Sequence, residues 1–107
     1  MALKFNIKRG DTSPALRMAL APDTLTLTGA SVQFQMRPRR KTTSIDAAAN
    51  IITASPPVVE YVWASGETDL AGLYEAEFKV TYADGSIETF PNVGFIDVTI
   101  NEDVPDA

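Results

Sequence analysis

Cysteine and histidine are both absent from this chain of 107 residues, and each absence removes a class of chemistry. Without cysteine there is no disulfide staple, no thiolate nucleophile and no thiolate metal site. Without histidine there is no imidazole base, no Ser-His-Asp triad and no His-ligated zinc. Glycine-rich phosphate loops and an S-x-x-K arrangement are also missing, so hydroxyls such as Thr12 and Ser13 have no recognisable activating base. Long apolar runs are lacking too. No stretch approaches the roughly 20 apolar residues of a spanning helix, and the opening Met-Ala-Leu-Lys-Phe-Asn-Ile-Lys-Arg has no signal-peptide core. The expectation is a non-enzymatic protein with no cofactor and no membrane partner, kept in the cytosol until it assembles.

What is present is a globular composition, 45% apolar and 21% charged. The length predicts a single domain over 1–107, with its core at about 3–100 and a short tail at 101–107. The net charge of −5 hides a segregation. Residues 1–41 hold eight of the nine Lys/Arg against Asp11 and Asp23, a net +6; residues 42–107 hold Lys79 against twelve Asp/Glu, a net −11.

Strand-type alternation dominates. Leu3, Phe5 and Ile7 alternate with Lys4, Asn6 and Lys8; Leu16, Met18 and Leu20 with Arg17 and Ala19; Val32, Phe34 and Met36 with Gln33, Gln35 and Arg37. Val59, Tyr61 and Trp63 follow, then Tyr74 to Tyr82, then Ile96, Val98 and Ile100, each at every second residue. Period two places each set on one face of a sheet, one buried and one wet, as in antiparallel sheets. Ile45 to Thr53 reads as one further, weaker strand despite its Ala47-Ala48-Ala49 tract. Turn residues separate the runs, and Asp84-Gly85 predicts a tight hairpin with positive φ at both central residues. Seven to eight short strands at this spacing predict an all-β, immunoglobulin-like antiparallel β-sandwich.

The most specific local signal is Asp69-Leu70-Ala71-Gly72-Leu73-Tyr74-Glu75-Ala76. In immunoglobulin-type sandwiches a tyrosine at the start of a late strand sends its hydroxyl back to upstream backbone, two residues before a cysteine. Tyr74 holds that tyrosine place, Ala76 the cysteine place, and Asp69 and Gly72 suit the turn between. Trp63 reads as a core aromatic.

Three surface features invite functional readings. Glu75 and Glu77 share one strand face, which lacks the cross-cleft separation that paired-carboxylate catalysis needs. Asp11, Glu67, Asp69, Asp84 and Asp97 are candidates for an end cluster that binds calcium, without a recognisable ligand loop. Arg37-Pro38-Arg39-Arg40-Lys41 packs four cations into five residues and is the candidate partner contact. A solvated loop, an acidic protein surface and nucleic acid are its alternatives, and the aromatics that single-strand readers interleave are missing from it. With the +6/−11 split, copies of the chain meeting basic to acidic is a further expectation.

The order of several motifs carries a resemblance. Arg9-Gly10-Asp11-Thr12-Ser13-Pro14-Ala15-Leu16, Leu27-Thr28-Gly29-Ala30-Ser31-Val32-Gln33-Phe34-Gln35-Met36-Arg37, Tyr61-Val62-Trp63, Gly66-Glu67-Thr68-Asp69, Ala71 to Phe78, Tyr82-Ala83-Asp84-Gly85 and Glu88-Thr89-Phe90-Pro91-Asn92 follow one another over about 5–100. In this order the chain resembles small bacteriophage Ig-like virion proteins similar to the N-terminal domain of phage baseplate upper proteins. The resemblance implies a virion component, synthesised in the bacterial host cytoplasm, that docks onto other virion proteins or onto its own copies. Tail, baseplate and capsid-surface positions all stay open. The alternative from another class is a module that binds host cell-surface glycan through exposed Tyr61, Tyr82, Phe90 or Phe95.

Overall fold

The computed structural model describes residues 3–104, and nine strands and no helix run through them. They are β1 (Leu3–Lys8), β2 (Leu16–Ala19), β3 (Ser31–Pro38), β4 (Ile45–Ala48), β5 (Asn50–Thr53), β6 (Val58–Tyr61), β7 (Gly72–Thr81), β8 (Ile87–Phe90) and β9 (Ile96–Asn101). They form two sheets packed as a sandwich-like globule. The larger has the order β1-β9-β7-β3-β4, with β8 also paired to β7; the smaller has the order β2-β6-β5.

Three expectations need correction. The sheets are mixed rather than purely antiparallel, because β1 runs parallel to β9. Those strands come from opposite ends of the sequence, so no hairpin forces them antiparallel. The segment Ile45–Thr53 is two strands rather than one. β4 pairs with β3 in the large sheet, β5 pairs with β6 in the small one, and the chain changes sheet at Ala49. Small alanines make that passage across the sandwich edge sterically easy. The predicted hairpin joins β7 to β8, but Gly85 alone takes positive φ, at 90°. Gly85 N–H donates to the Tyr82 carbonyl and Tyr82 N–H to the Ser86 carbonyl. This is the three-residue loop in which one glycine absorbs the twist, leaving Asp84 in an ordinary conformation. Asn101 is the last residue of β9, and Arg9 holds Asp103 at 2.7 Å. Residues 105–107 lie outside the described residues.

β7 is the longest strand. It pairs with β3 over Tyr74–Thr81 on one side, and with β9 and then β8 on the other. Its alternation is expressed without error: Tyr74, Ala76, Phe78 and Val80 are buried, while Glu75, Glu77, Lys79 and Thr81 face outward. On β3, Val32, Phe34 and Met36 are buried likewise. Phe34 joins the two sheets, since its ring stacks on Tyr61 of β6 at 4.3 Å and contacts Phe78 of β7 at 5.2 Å. Trp63, just past β6, meets Phe34 and Tyr61 edge-on and donates its indole N–H to the Pro14 carbonyl. It is a core aromatic, 3% exposed. Ala76, the position expected to replace a cysteine, is buried in the apolar core.

The tyrosine corner is formed. The Tyr74 hydroxyl donates to the Leu70 carbonyl at 2.6 Å, four residues upstream. Gly72 has φ 155°, which side chains other than hydrogen rarely tolerate, and it sets the bend that permits this reach. Asp69 contributes through its backbone, whose N–H faces the Gly66 carbonyl at 3.4 Å; its carboxylate makes no hydrogen bond among the described residues. Thr68, also buried, donates to the Asp11 carbonyl and ties the corner to the β1–β2 loop. Replacing Tyr74 by Phe leaves the Leu70 carbonyl without its donor and is expected to cost about 1–2 kcal/mol. Urea unfolding checks this: the midpoint should fall with an unchanged slope, and an unchanged midpoint would show that the bond stabilises nothing.

Candidate functional site

The basic run predicted as a partner contact lies where β3 ends. Arg37 is the last outward-facing residue of β3, directly opposite Glu75 on β7. Its guanidinium binds Glu75 Oε1 through both Nε and a terminal nitrogen, each at 3.0 Å, and lies over the Phe95 ring at 5.2 Å. Glu75 in turn faces Asp97 of β9, and Asp97 faces Lys4 of β1. Across four strands the outer face thus reads cation, anion, anion, cation. The two inner carboxylates repel, and the flanking cations offset that repulsion. Arg37 is therefore a sheet-face residue with its charge already engaged. Such a partly exposed pair contributes about 0.2–1 kcal/mol.

Beyond Arg37 the chain reverses in a tight turn, Pro38 to Lys41, closed by the Lys41 N–H to Pro38 carbonyl bond at 2.9 Å. Arg39 keeps its backbone in the sheet by donating to the Leu73 carbonyl, and its guanidinium lies 4.0 Å from Asp97. Arg40 has φ 61°. With only the third turn residue in the left-handed region, this is the geometry for which glycine or asparagine is the usual choice. An arginine there costs about 1 kcal/mol relative to glycine. Arg40 and Lys41 are exposed, and neither forms an ion pair among the described residues. The four cations of the run thus divide into two that the sheet uses and two that it holds out to solvent. Nothing in the sequence signalled this division, because Pro-Arg-Arg-Lys lacks the glycine that normally marks such a turn.

The acidic residues named as an end cluster are dispersed. Glu67 accepts the Tyr61 hydroxyl and the Ala64 N–H at the corner end. Asp84 accepts Ser86 N–H and hydroxyl in the hairpin at the opposite end. Among the described residues no three acidic side chains converge as metal ligands. Of the four aromatics considered for glycan contact, Tyr61 and Phe90 are buried in the core. Tyr82 and Phe95 retain exposed surface, but Tyr82 lies beside the hairpin and Phe95 over the middle of the large sheet. Glu75 and Glu77 do share the outer face of β7, with Glu75 committed to Arg37.

Concave regions among the described residues include a shallow one of about 170 Å³ beside Arg37, Glu75 and Phe95, one of about 320 Å³ beside Asn6, Asp11 and Asn101, and two more. Between the free edges of β1 and β2 an apolar groove of about 300 Å³ is floored by Phe5, Leu16, Met18 and Ile96. At the hairpin end an open cleft of about 540 Å³ is lined by Thr24, Thr26 and Thr28 on one side and by Tyr82, Asp84 and Glu88 on the other. Glu88 Oε1 accepts the Tyr82 hydroxyl at 2.8 Å, and Asn92 donates to Glu88 Oε2.

No family model, curated protein or solved structure matches the chain.

Two measurements follow from this geometry. Arg40→Gly is expected to raise stability by up to about 1 kcal/mol by relieving the left-handed strain, read as a higher urea midpoint; a lower midpoint would show that the arginine side chain itself stabilises the turn. The tyrosines give a pH signature. Burial raises all three above their ordinary value of 10, with a hydrogen bond to Glu67 adding to the shift at Tyr61 and one to Glu88 pushing Tyr82 to about 12. Each neutral phenol is favoured by folding, so this contribution is complete below pH 10 and is lost as pH rises through the folded values. Titration of tyrosinate absorbance should therefore show the tyrosines ionising at higher pH than free tyrosine does, and alkaline unfolding should accompany the rise. A phenol titrating at its ordinary value in the folded protein would contradict the assignment.

Proposed function

We propose that this protein is a non-enzymatic, immunoglobulin-like structural component of a bacteriophage or prophage particle, acting through protein–protein contacts at the Pro38–Lys41 turn and at its free strand edges. The observation that carries the fold part of this reading is the Tyr74–Leu70 corner bond within a β1-β9-β7-β3-β4 sheet packed over β2-β6-β5. A tyrosine corner two residues before a buried position on the same strand supports the immunoglobulin-like reading, in which Ala76 stands where such sandwiches carry a cysteine. The virion part rests on the ordered sequence motifs. Several of them fall on residues that make this fold, including Gly66 to Asp69 at the corner and Tyr82 to Gly85 at the hairpin. Gly66 and Gly85, with positive φ, and the buried Thr68 serve the scaffold in this reading, which leaves contacts to exposed side chains outside those backbone roles.

The two unpaired cations support the contact reading. The backbone of this turn is tied to the sheet, with the Arg40 N–H donating to Glu75 Oε1 at 3.5 Å, whereas the Arg40 side chain makes no hydrogen bond or ion pair among the described residues and stands in solvent. Backbone strain such as that at Arg40 is an observation from which a functional role is inferred. Charged contacts at such a rim govern encounter rate and partner choice more than affinity.

Proteomic mass spectrometry of particles purified from the bacterium that carries the coding sequence tests this function. The chain should co-purify with the particles through a density gradient at a ratio characteristic of a structural component. Its absence from particles, with free protein left in the lysate, would overturn the reading.

A further inference from the structure

The geometry points to a head-to-tail contact between copies of this chain, in which the Arg39–Lys41 turn of one copy docks into the Thr24/Thr28/Asp84/Glu88 cleft of the next. This assignment rests on the protein–protein reading above and names the partner as a second copy. It begins with placement. The turn follows β3 at Pro38, which pairs with Tyr74 near the start of β7; the cleft surrounds the hairpin after Thr81, where β7 ends. Ten strand residues lie between the ends of β7. At about 3.3 Å per residue the two features stand roughly 30 Å apart. That is several Debye lengths at physiological ionic strength, where the Debye length is about 8 Å. The turn therefore cannot satisfy the cleft of its own molecule.

Charge complementarity argues for the second copy. Among the described residues the turn presents Arg40 and Lys41 without ionic partners, and Arg39 with a contact at 4.0 Å. No cation among the described residues lines the cleft. Its two carboxylates are oriented by neutral donors, Ser86 for Asp84 and Tyr82 with Asn92 for Glu88, which fix their direction without cancelling their charge. Asp23, exposed, precedes the cleft-lining Thr24 and adds an anion beside the exposed Asp84 and the half-buried Glu88. The threonine hydroxyls offer neutral acceptors for guanidinium N–H groups, and the Tyr82 ring offers a face for a cation. The cleft is open, so a protruding turn with long side chains fits it better than a flat surface would. A contact between two different patches is heterologous: repeated, it generates a ring or a filament rather than a closed dimer.

The test uses two charge variants and their mixture, followed by sedimentation velocity at low ionic strength. The wild-type chain is expected to self-associate beyond the dimer as concentration rises. That association should disappear as salt approaches about 1 M, where the Debye length falls to about 3 Å. Arg40→Glu with Lys41→Glu spoils the turn, and Asp84→Lys spoils the cleft, so each variant alone should be monomeric. Mixed, they retain one intact turn and one intact cleft between them, and should form dimers and nothing larger. Because Asp84→Lys also removes the Ser86 bonds, Thr24→Lys serves as a second cleft variant that leaves the hairpin intact; circular dichroism confirms that each is folded. A wild-type chain that stays monomeric at every concentration overturns the proposal, as does a mixture that forms no dimer. Binding of the wild-type chain to a DNA oligonucleotide, lost in the turn variant while self-association is absent, would assign the turn to nucleic acid instead and equally overturn it. None of these outcomes depends on whether the chain is found in purified particles, so failure here and failure of the virion reading remain distinguishable.

Discussion

The stack of Phe34 on Tyr61 is the contact on which the rest of the molecule depends. It joins the central strand pair of the large sheet to the central strand of the small one, with ring centroids 4.3 Å apart and Phe34 wholly buried. Trp63 and Phe78 enclose it from two further directions. A sandwich of this size that lacks a cystine must hold its sheets together by apolar burial alone, and aromatic rings supply the largest area per residue. The same cluster fixes the local chain path. Trp63 is tied to the Pro14 carbonyl, and the Tyr61 hydroxyl draws Glu67 inward, which orders the loop that leads into the Tyr74 corner.

β7 transmits that rigidity to the surface. It lies between β3 on one side and β9 and β8 on the other, so its ten residues form the spine of the large sheet. One end carries the corner and the basic turn; the other carries the hairpin and the acidic cleft. The distance between the basic turn and the acidic cleft is thus set by a strand that cannot change length. A structural module gains from this arrangement, because contacts held at a fixed spacing give a regular assembly, whereas contacts on mobile loops do not.

Much of this was legible in the sequence, for identifiable reasons. Period-two alternation located β3, β7 and β9, because each has one buried and one wet face and the pattern leaves no second register. The corner was legible because Gly72 and Tyr74 have a fixed relation along the chain. The parallel pairing of β1 with β9 was not, since alternation reports faces and is silent on direction. The sheet change at Ala49 was hidden because both halves of Ile45–Thr53 are extended and only long-range pairing separates them. The basic run was visible as a charge cluster. Its division into a sheet-bound Arg37 and a solvent-held Arg40 depended on cross-strand neighbours such as Glu75 and on a backbone angle, neither of which composition encodes. The −11 of the second segment likewise proved to be spread over both ends, with the cleft acids distinguished only by the absence of cations around them.

The central claim is that this domain works by presenting the Pro38–Lys41 turn to a neighbouring protein surface in an assembled particle. Cryo-electron microscopy of purified particles tests it most directly, at a resolution that traces strands. The account predicts density into which the two sheets fit, with the turn buried against an adjacent chain and acidic side chains within reach of Arg40 and Lys41. Density that places the domain with that turn open to solvent, or particles with no density for the domain, would contradict it.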